Sequence, residues 1–304
     1  MNRIRRRLVL PLLALFTAAV LIACASGGTG TSSTSAPIKV GSKDFTEAFI
    51  IGEMYALTLE KAGLPVERKL NLGGTPVAQA ALQSGEIDLY PEYTGTGLLT
   101  ILKEPALTDP QQVYDKVAAG YKEKYGLVWL EPSPMNNTQA LAMTKATSER
   151  LGIKTISDLA AKASQLTMVG APEFEVREDG LPGIKAKYGN FELKEFKAVD
   201  SGLRYKALTD GQADVTVAYS TDGEIAAFDL VVLEDDKKLF PPYQVAPVVR
   251  QQALDANPKI TEALNALAPK LDDATMQRLN YEVSGKKREP ADVAKEFMTQ
   301  AGLL

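Results

Sequence analysis

Residues 81–97, ALQSGEIDLYPEYTGTG, return 126 residues later as ALTDGQADVTVAYSTDG at 207–223. Each copy fits a helix that ends at a glycine, then a short apolar strand, then a tyrosine and a hydroxyl residue where the strand ends. In an open α/β sheet, that end of the strands is where ligands bind. Helix–glycine–strand units also recur by chance in α/β proteins, but agreement over both flanks favours a true repeat. It predicts two similar lobes, each offering a tyrosine to a shared cleft.

Strand and helix patterns alternate along the rest of the chain. The sequence predicts a strand over 38–42, a helix from an N-cap at Thr46 to Gly63, and a second strand over 66–70. Further elements are expected at 110–124 (helix), 127–130 (strand, with Trp129 in the core), 166–169 and 230–233 (strands), and 259–268, 273–282 and 290–301 (helices). This alternation indicates an α/β protein with mostly parallel sheets.

Two stretches are expected to cross between the lobes: the polar residues 135–139, which follow Pro132 and Pro134, and residues 240–243, which include Pro241 and Pro242. The C-terminal helices then return to the first lobe. The predicted lobe I therefore comprises 38–136 plus 241–304, and the predicted lobe II comprises 137–240. This arrangement is that of a hinged, two-lobed clamp.

The N-terminal segment predicts export and lipidation. Four arginines between positions 3 and 7 precede an apolar run over 8–22, which is typical of a secretory signal and too short to span a bilayer comfortably. Leu21-Ile22-Ala23-Cys24 resembles the bacterial lipobox, so we expect cleavage after residue 23 and diacylation of Cys24. Residues 24–37 contain almost only small and polar residues and form the predicted flexible tether. The predicted location is extracytoplasmic, anchored to a bacterial membrane.

Composition excludes several classes of chemistry. The chain has no histidine, and Cys24 is its only cysteine, which excludes His/Cys metal sites, Ser-His-Asp triads and Cys-His dyads. No phosphate-binding Gly-x-x-x-x-Gly-Lys-(Ser/Thr) motif is present. Loss of the leader, with its four arginines and no acid, would take the formal net charge from −4 to −8, which argues against nucleic acid as a partner. We assign no catalytic residue, metal or cofactor.

Five motifs occur in a specific order: GSKDFTE at 41–47, YPEYTGTG at 90–97, NNT at 136–138, STDG at 220–223 and FPPY at 240–243. Together they resemble the substrate-binding proteins of ABC importers for glycine betaine, carnitine and choline, and the similarity covers 38–304. The resemblance implies a type II periplasmic-binding-protein fold, in which two hinged α/β lobes close on a zwitterionic or cationic solute. It also implies a separate permease and ATPase, and the binding protein is expected to be a monomer.

The resemblance assigns roles to individual residues. A quaternary ammonium ion has no N–H to donate, so aromatic faces bind it through their quadrupole. The family's cage tyrosines fall on Tyr93, Tyr219 and Tyr243, and two of these already stand out in the internal repeat. The carboxylate clamp of a betaine falls on the three residues Lys43, Thr96 and Arg177. Alternatively, the tyrosines are packing residues, and Arg177 is held in ion pairs by neighbouring acids such as Asp179.

The sequence departs from the family at two positions. Gln139 stands where members with a full aromatic cage carry a tyrosine, and Asn137 stands where some members place an acid near the cation. We expect the two changes to weaken a trimethylammonium site by about 1–3 kcal/mol. Gln139 offers hydrogen bonds instead, so another compatible solute or a modified betaine such as ergothioneine is the alternative ligand.

Two other functions remain open from the sequence. A surface hydrolase would need a carboxylate pair, for which Asp88 with Glu92 or Glu173 with Glu175 are the available choices. A sensory or adhesive lipoprotein would share the fold without transport. Solute binding for import is the leading hypothesis.

Overall fold

A computed structural model describes residues 36–304. The predictions for the leader, for Cys24 and for most of the tether lie outside the described residues. The strands are β1 (Ile38–Gly41), β2 (Val66–Lys69), β3 (Leu89–Tyr93), β4 (Leu127–Trp129), β5 (Gln139–Thr144), β6 (Thr167–Gly170), β7 (Glu195–Ala198), β8 (Val215–Tyr219), β9 (Leu230–Val232) and β10 (Val245–Arg250).

The α-helices within 36–304 match the long helices predicted from the sequence and add shorter ones. They are α1 (Thr46–Lys61), α2 (Thr75–Ser84), α3 (Thr94–Thr96), α4 (Pro110–Tyr125), α5 (Lys145–Leu151), α6 (Ile156–Lys162), α7 (Leu181–Tyr188), α8 (Arg204–Thr209), α9 (Glu224–Ala227), α10 (Gln251–Ala256), α11 (Lys259–Leu267), α12 (Asp273–Ser284) and α13 (Pro290–Gln300). The expected N-cap at Thr46 is wrong: the cap position is Phe45, and Thr46 is the first helical residue.

The strands form two five-stranded sheets of the same design. The first sheet has the order β2-β1-β3-β10-β4 and the second has the order β7-β6-β8-β5-β9. In the first, β1 is parallel to β2 and β3, whereas β10 is antiparallel to β3 and β4. In the second, β6 is parallel to β7 and β8, whereas β5 is antiparallel to β8 and β9. In each sheet, four strands point the same way and the strand that follows the crossover is reversed. The expectation of mostly parallel sheets is therefore confirmed for strand direction, but only two of the four strand pairs in each sheet are parallel.

The internal repeat corresponds to matching structural units. Gly85 and Gly211 both adopt the left-handed conformation after their helices, with φ of 79° and 71°. Asp88 accepts a hydrogen bond from the backbone N–H of Lys39 (3.0 Å), and Asp214 accepts one from that of Thr167 (3.0 Å). Each aspartate thus ties a central strand to its parallel neighbour. The α/β repeat predicted from the sequence is confirmed.

Buried apolar residues fill both faces of the first sheet. On one face, α1 packs against the C-terminal helices α11, α12 and α13. On the other, Trp129 is 4 % exposed and packs edge-on against Tyr121, with ring centroids 5.2 Å apart. The prediction that Trp129 belongs to the core is confirmed. Within 36–304, we find no helix with the length and apolarity needed to cross a membrane.

Candidate functional site

A cleft of about 350 Å³ lies where the central strands of the two sheets end. All eight residues proposed from the sequence line it: Lys43, Tyr93, Thr96, Asn137, Gln139, Arg177, Tyr219 and Tyr243. Tyr93 is the last residue of β3 and Tyr219 is the last residue of β8, so the repeat itself positions both rings. The structure brings the proposed residues together, and their role in binding stays a prediction.

Hydrogen bonds from buried tyrosine hydroxyls to carboxylates orient two of the rings. The Tyr93 hydroxyl donates to Glu47 Oε1 (2.7 Å), and the Tyr243 hydroxyl donates to Asp179 Oδ2 (2.8 Å). Burial, and then the neighbouring carboxylate, raise the pKa of each tyrosine well above its usual value. Both phenols therefore stay neutral at physiological pH and keep donating to these carboxylates.

Tyr219 is the least enclosed of the three rings. The Arg204 guanidinium carbon lies 5.3 Å from its centroid. Burial raises the pKa of Tyr219 to about 12. In the same way, the Lys43 ammonium lies 5.0 Å from the Tyr93 centroid, so cations of the protein already contact two of the three proposed cage rings.

Each of the three cations that line the cleft is paired with a carboxylate. Lys43 Nζ lies 2.6 Å from Glu92 Oε1, and both side chains are buried. Arg204 binds Asp222 at 2.6 Å. An incoming anion would therefore have to share these cations with the carboxylates that already hold them.

Arg177 is held more extensively than the other two cations. It makes a bidentate contact with Asp179, with Nε–Oδ1 at 2.7 Å and a terminal nitrogen 2.5 Å from Oδ2, and it also reaches Glu173 at 3.3 Å. Burial alone would raise the pKa of Asp179, but Arg177 outweighs burial and lowers it. The same guanidinium donates to Thr96 Oγ1 at 3.3 Å. Two members of the proposed carboxylate clamp are thus in contact, and the ion pairing anticipated for Arg177 is present.

Carboxylates orient the amides of Gln139 and Asn137, the two positions at which the sequence analysis expects a departure from the family. Gln139 Nε2 donates to Asp179 Oδ2 (2.8 Å) and to the Tyr243 hydroxyl (2.7 Å). Asn137 Nδ2 donates to Glu47 Oε1 (2.7 Å). A carboxylate only accepts hydrogen bonds, so each amide must direct its nitrogen to it. Asn137 Oδ1 and Gln139 Oε1 are buried without a donor in the described part of the chain.

Sequence reasoning assigned no role to several charged residues of the cleft. Five acids line it, against three bases: Asp44, Glu47, Glu173, Asp200 and Asp222 against Lys43, Arg177 and Arg204. Glu47 is the last residue of the motif at 41–47, and Asp222 lies in the second copy of the repeat. These two positions were therefore signals from which the sequence analysis could have identified both residues. Their charge marks a cleft that favours a cationic ligand.

The carboxylate pairs considered for hydrolysis are not arranged as pairs in the cleft. Asp88 ties two strands together, and Glu92 is buried on Lys43. Glu173 lines the cleft, but Glu175 does not and is exposed. Among residues 36–304, no group of three or more acidic, histidine or cysteine side chains is placed to hold a metal ion.

Two α/β units of equal design, with ring and charged side chains at a common cleft, define a two-lobed solute-binding protein. Residues 36–300 match the family model described as the substrate-binding domain of ABC-type glycine betaine transport systems. The chain belongs to this family. The fold class and the resemblance given by the five sequence motifs are confirmed.

Three similar proteins illustrate the range of the family. The glycine-betaine-binding protein of Pseudomonas aeruginosa PAO1 is 36 % identical in a comparison that covers 100 % of this chain and 96 % of the relative. The ergothioneine transport permease/ergothioneine binding protein EgtU of Helicobacter pylori G27 is 35 % identical over 268 residues, which cover 88 % of this chain; the chain spans 48 % of that longer protein. The crystal structure of a glycine betaine/carnitine/choline ABC transporter protein is 34 % identical, with a TM-score of 0.69 over 88 % of this chain and 99 % of its own.

Proposed function

We propose that this chain binds a small quaternary ammonium solute in the cleft and delivers it to an ABC permease that a separate ATPase drives. The observation that supports this most directly is the combination of three tyrosines with an excess of acids around one cleft. Aromatic faces attract a cation that has no N–H, by about 0.5–2 kcal/mol each depending on desolvation. Glycine betaine, named in the family description, is the first ligand to test. The protein acts without catalysis.

The same proposal assigns the rest of the chain. Residues 38–136 with 241–304 form lobe I, and residues 137–240 form lobe II. The leader 1–23 is removed, Cys24 carries the lipid, and the monomeric protein works outside the cytoplasm at the membrane surface. The described segment 36–304 supplies the whole cleft, so it is the natural fragment for binding studies.

For a zwitterion such as glycine betaine, the carboxylate end belongs at Thr96 and Arg177, with Lys43 nearby. The Thr96–Arg177 contact supports this assignment, because it gathers a hydroxyl and a guanidinium at one point of the cleft. The ligand carboxylate has to share Arg177 with Asp179 and Glu173. The site therefore binds a zwitterion more weakly than it would if Lys43, Thr96 and Arg177 had no other partners.

A second candidate is a quaternary ammonium solute that also donates hydrogen bonds. Asn137 Oδ1 and Gln139 Oε1 are acceptors without a donor in the described region, and glycine betaine has neither N–H nor O–H to offer them. Choline has an O–H group, and ergothioneine, after which the Helicobacter pylori relative is named, has an N–H group. These two acceptors favour such solutes over plain betaines.

Calorimetric titration of residues 36–304 tests both candidates. The panel is glycine betaine, carnitine, choline and ergothioneine, with proline as the control because it has no quaternary nitrogen. We expect the quaternary compounds to bind and proline to fail. Binding of proline alone, or of none of the panel, would refute the proposed ligand class, and the ranking of glycine betaine against the donor-bearing compounds decides between the two candidates.

A further inference from the structure

Glu47, the second residue of α1, is a buried carboxylate at the wall of the cleft. It is 3 % exposed and lies within the cleft lining. Both of its oxygens accept two hydrogen bonds. The donors are the Tyr93 hydroxyl (2.7 Å) and Asn137 Nδ2 (2.7 Å) to Oε1, and the Thr221 hydroxyl (2.6 Å) and Asn280 Nδ2 (2.8 Å) to Oε2.

All four donors are neutral, and together they fill the acceptor sites of an ionised carboxylate. No lysine or arginine of the described chain lies within ion-pair distance of Glu47. Burial of a charge without a counter-charge is unfavourable. Burial accordingly raises the pKa of Glu47, against the opposing effect of the Thr221, Asn280 and Tyr93 hydrogen bonds.

Each of the three protein cations that line the cleft is already paired with a carboxylate other than Glu47. Lys43 is bound to Glu92, Arg177 to Asp179 and Glu173, and Arg204 to Asp222. A cation that enters the cleft from outside is therefore the remaining partner for Glu47.

We propose that Glu47 is the counter-charge for the positive head of the solute, acting through Tyr93, and that it selects a permanent cation over a neutral group of the same shape. The inference rests on the proposed function and extends it to a residue that is not one of the cage rings. The Tyr93 hydroxyl that donates to Glu47 couples the carboxylate to the ring face that meets the solute. Glu47 thereby sets charge selectivity, while the rings set shape.

Glu47 also has a structural role, since its partners come from β3, from the crossover before β5, from the loop after β8 and from α12. A residue with that role alone would affect every ligand of the cleft equally. Charge selectivity is therefore measured as a ratio: the affinity for choline divided by the affinity for 3,3-dimethyl-1-butanol, in which a carbon atom replaces the charged nitrogen. Purely structural damage leaves this ratio unchanged.

The test is a titration of wild-type 36–304 and of Glu47→Gln with both compounds. A unit charge acting over roughly 8–12 Å at an effective dielectric constant of about 20 predicts that Glu47→Gln lowers the choline ratio by about 10- to 30-fold. Thr221→Val is the matched control, because it removes one donor to Glu47 and keeps the charge. It should change both affinities by the same factor.

Glu47→Asp serves as the second variant, since it keeps the charge if the amide variant does not fold. It should retain the wild-type ratio within about threefold, even where both affinities fall as the hydrogen bonds shift. An unchanged ratio in folded Glu47→Gln, a ratio lost in Glu47→Asp, or no preference of the wild type for choline overturns the inference while leaving quaternary ammonium binding intact. A wild type that binds neither choline nor glycine betaine overturns the proposed function, and the Glu47 inference with it.

Discussion

Closure of the cleft should depend on a contact between Glu173 and the start of α2. Glu173 follows β6 of the second sheet, and its Oε2 accepts the backbone N–H of Thr75, which begins the helix beside β3 of the first sheet (3.1 Å). The contact places a carboxylate at a helix N-terminus, where the helix dipole favours negative charge. Because it joins the two sides of the cleft, it stabilises the arrangement in which both sides meet the solute.

Gly74 makes this contact possible. A Cβ atom on Gly74 would lie 2.4 Å from Glu173 Oε2, so an alanine there would displace the carboxylate. The backbone of Gly74, with φ of −69° and ψ of −177°, is open to any residue, so Gly74→Ala adds no conformational strain of its own. The substitution acts as a wedge against one hydrogen bond.

A hydrogen bond to a charged group contributes about 1.5–3 kcal/mol, and partial exposure of Glu173 reduces this to about 1–2 kcal/mol. Gly74→Ala and Glu173→Ala should therefore each weaken choline binding by about 5- to 30-fold in calorimetric titration. Choline is the ligand for this test because it has no carboxylate, so release of Arg177 from Glu173 does not offset the loss. The double variant should bind as each single variant does, because the wedge has nothing left to displace once the carboxylate is gone. Losses that multiply in the double variant, or wild-type affinity in Gly74→Ala, would refute the reasoning.

The remaining predictions concern the ring, the repeat and the anchor. Tyr219→Leu should weaken choline binding by about 0.5–2 kcal/mol, whereas Tyr219→Phe, which keeps the π-face, should stay near the wild type; equal losses in titration would contradict a cage role. Asp214→Ala and Asp88→Ala should each cost about 1–3 kcal/mol in urea unfolding because a strand N–H loses its acceptor, and a neutral result at either position would show that the paired bonds contribute nothing to stability. Cys24→Ser should abolish membrane partitioning of the mature-length protein in cell fractions, so a variant that still partitions there would disprove lipidation.

Local signals in the sequence were sufficient for most of the fold. Glycines with left-handed backbone end the repeated helices, and the short strand pattern that follows each glycine gives the central strand of each sheet. The strands β5 and β10 were not predicted from the sequence, and their direction was not accessible in this way. An apolar run has the same pattern in either direction, and only the crossover geometry decides which way the chain enters the sheet.

The sequence was sufficient to predict which residues line the candidate site. It was not sufficient to predict the hydrogen bonds and ion pairs among them. The resemblance to the family identified Lys43 and Arg177, but some of their partners lie far away in sequence. Glu92 is 49 positions from Lys43, and Thr96 is 81 positions from Arg177. Glu47 shows the same limit, since Asn280 is 233 positions away. Contacts at such separations depend on the packing of whole elements, which no local pattern encodes.

The partners of the named residues, near and distant in sequence, change what those residues can do. An arginine held by Asp179 and Glu173 cannot neutralise a ligand carboxylate fully, because its charge is already shared. A tyrosine whose hydroxyl donates to a buried carboxylate, as Tyr93 does, offers a cation more than its ring quadrupole alone. The first effect weakens binding of the anionic end of a zwitterion, and the second strengthens binding of its cationic end. Discrimination in this cleft therefore follows the charge and the donors of the ammonium compound more than the presence of a carboxylate.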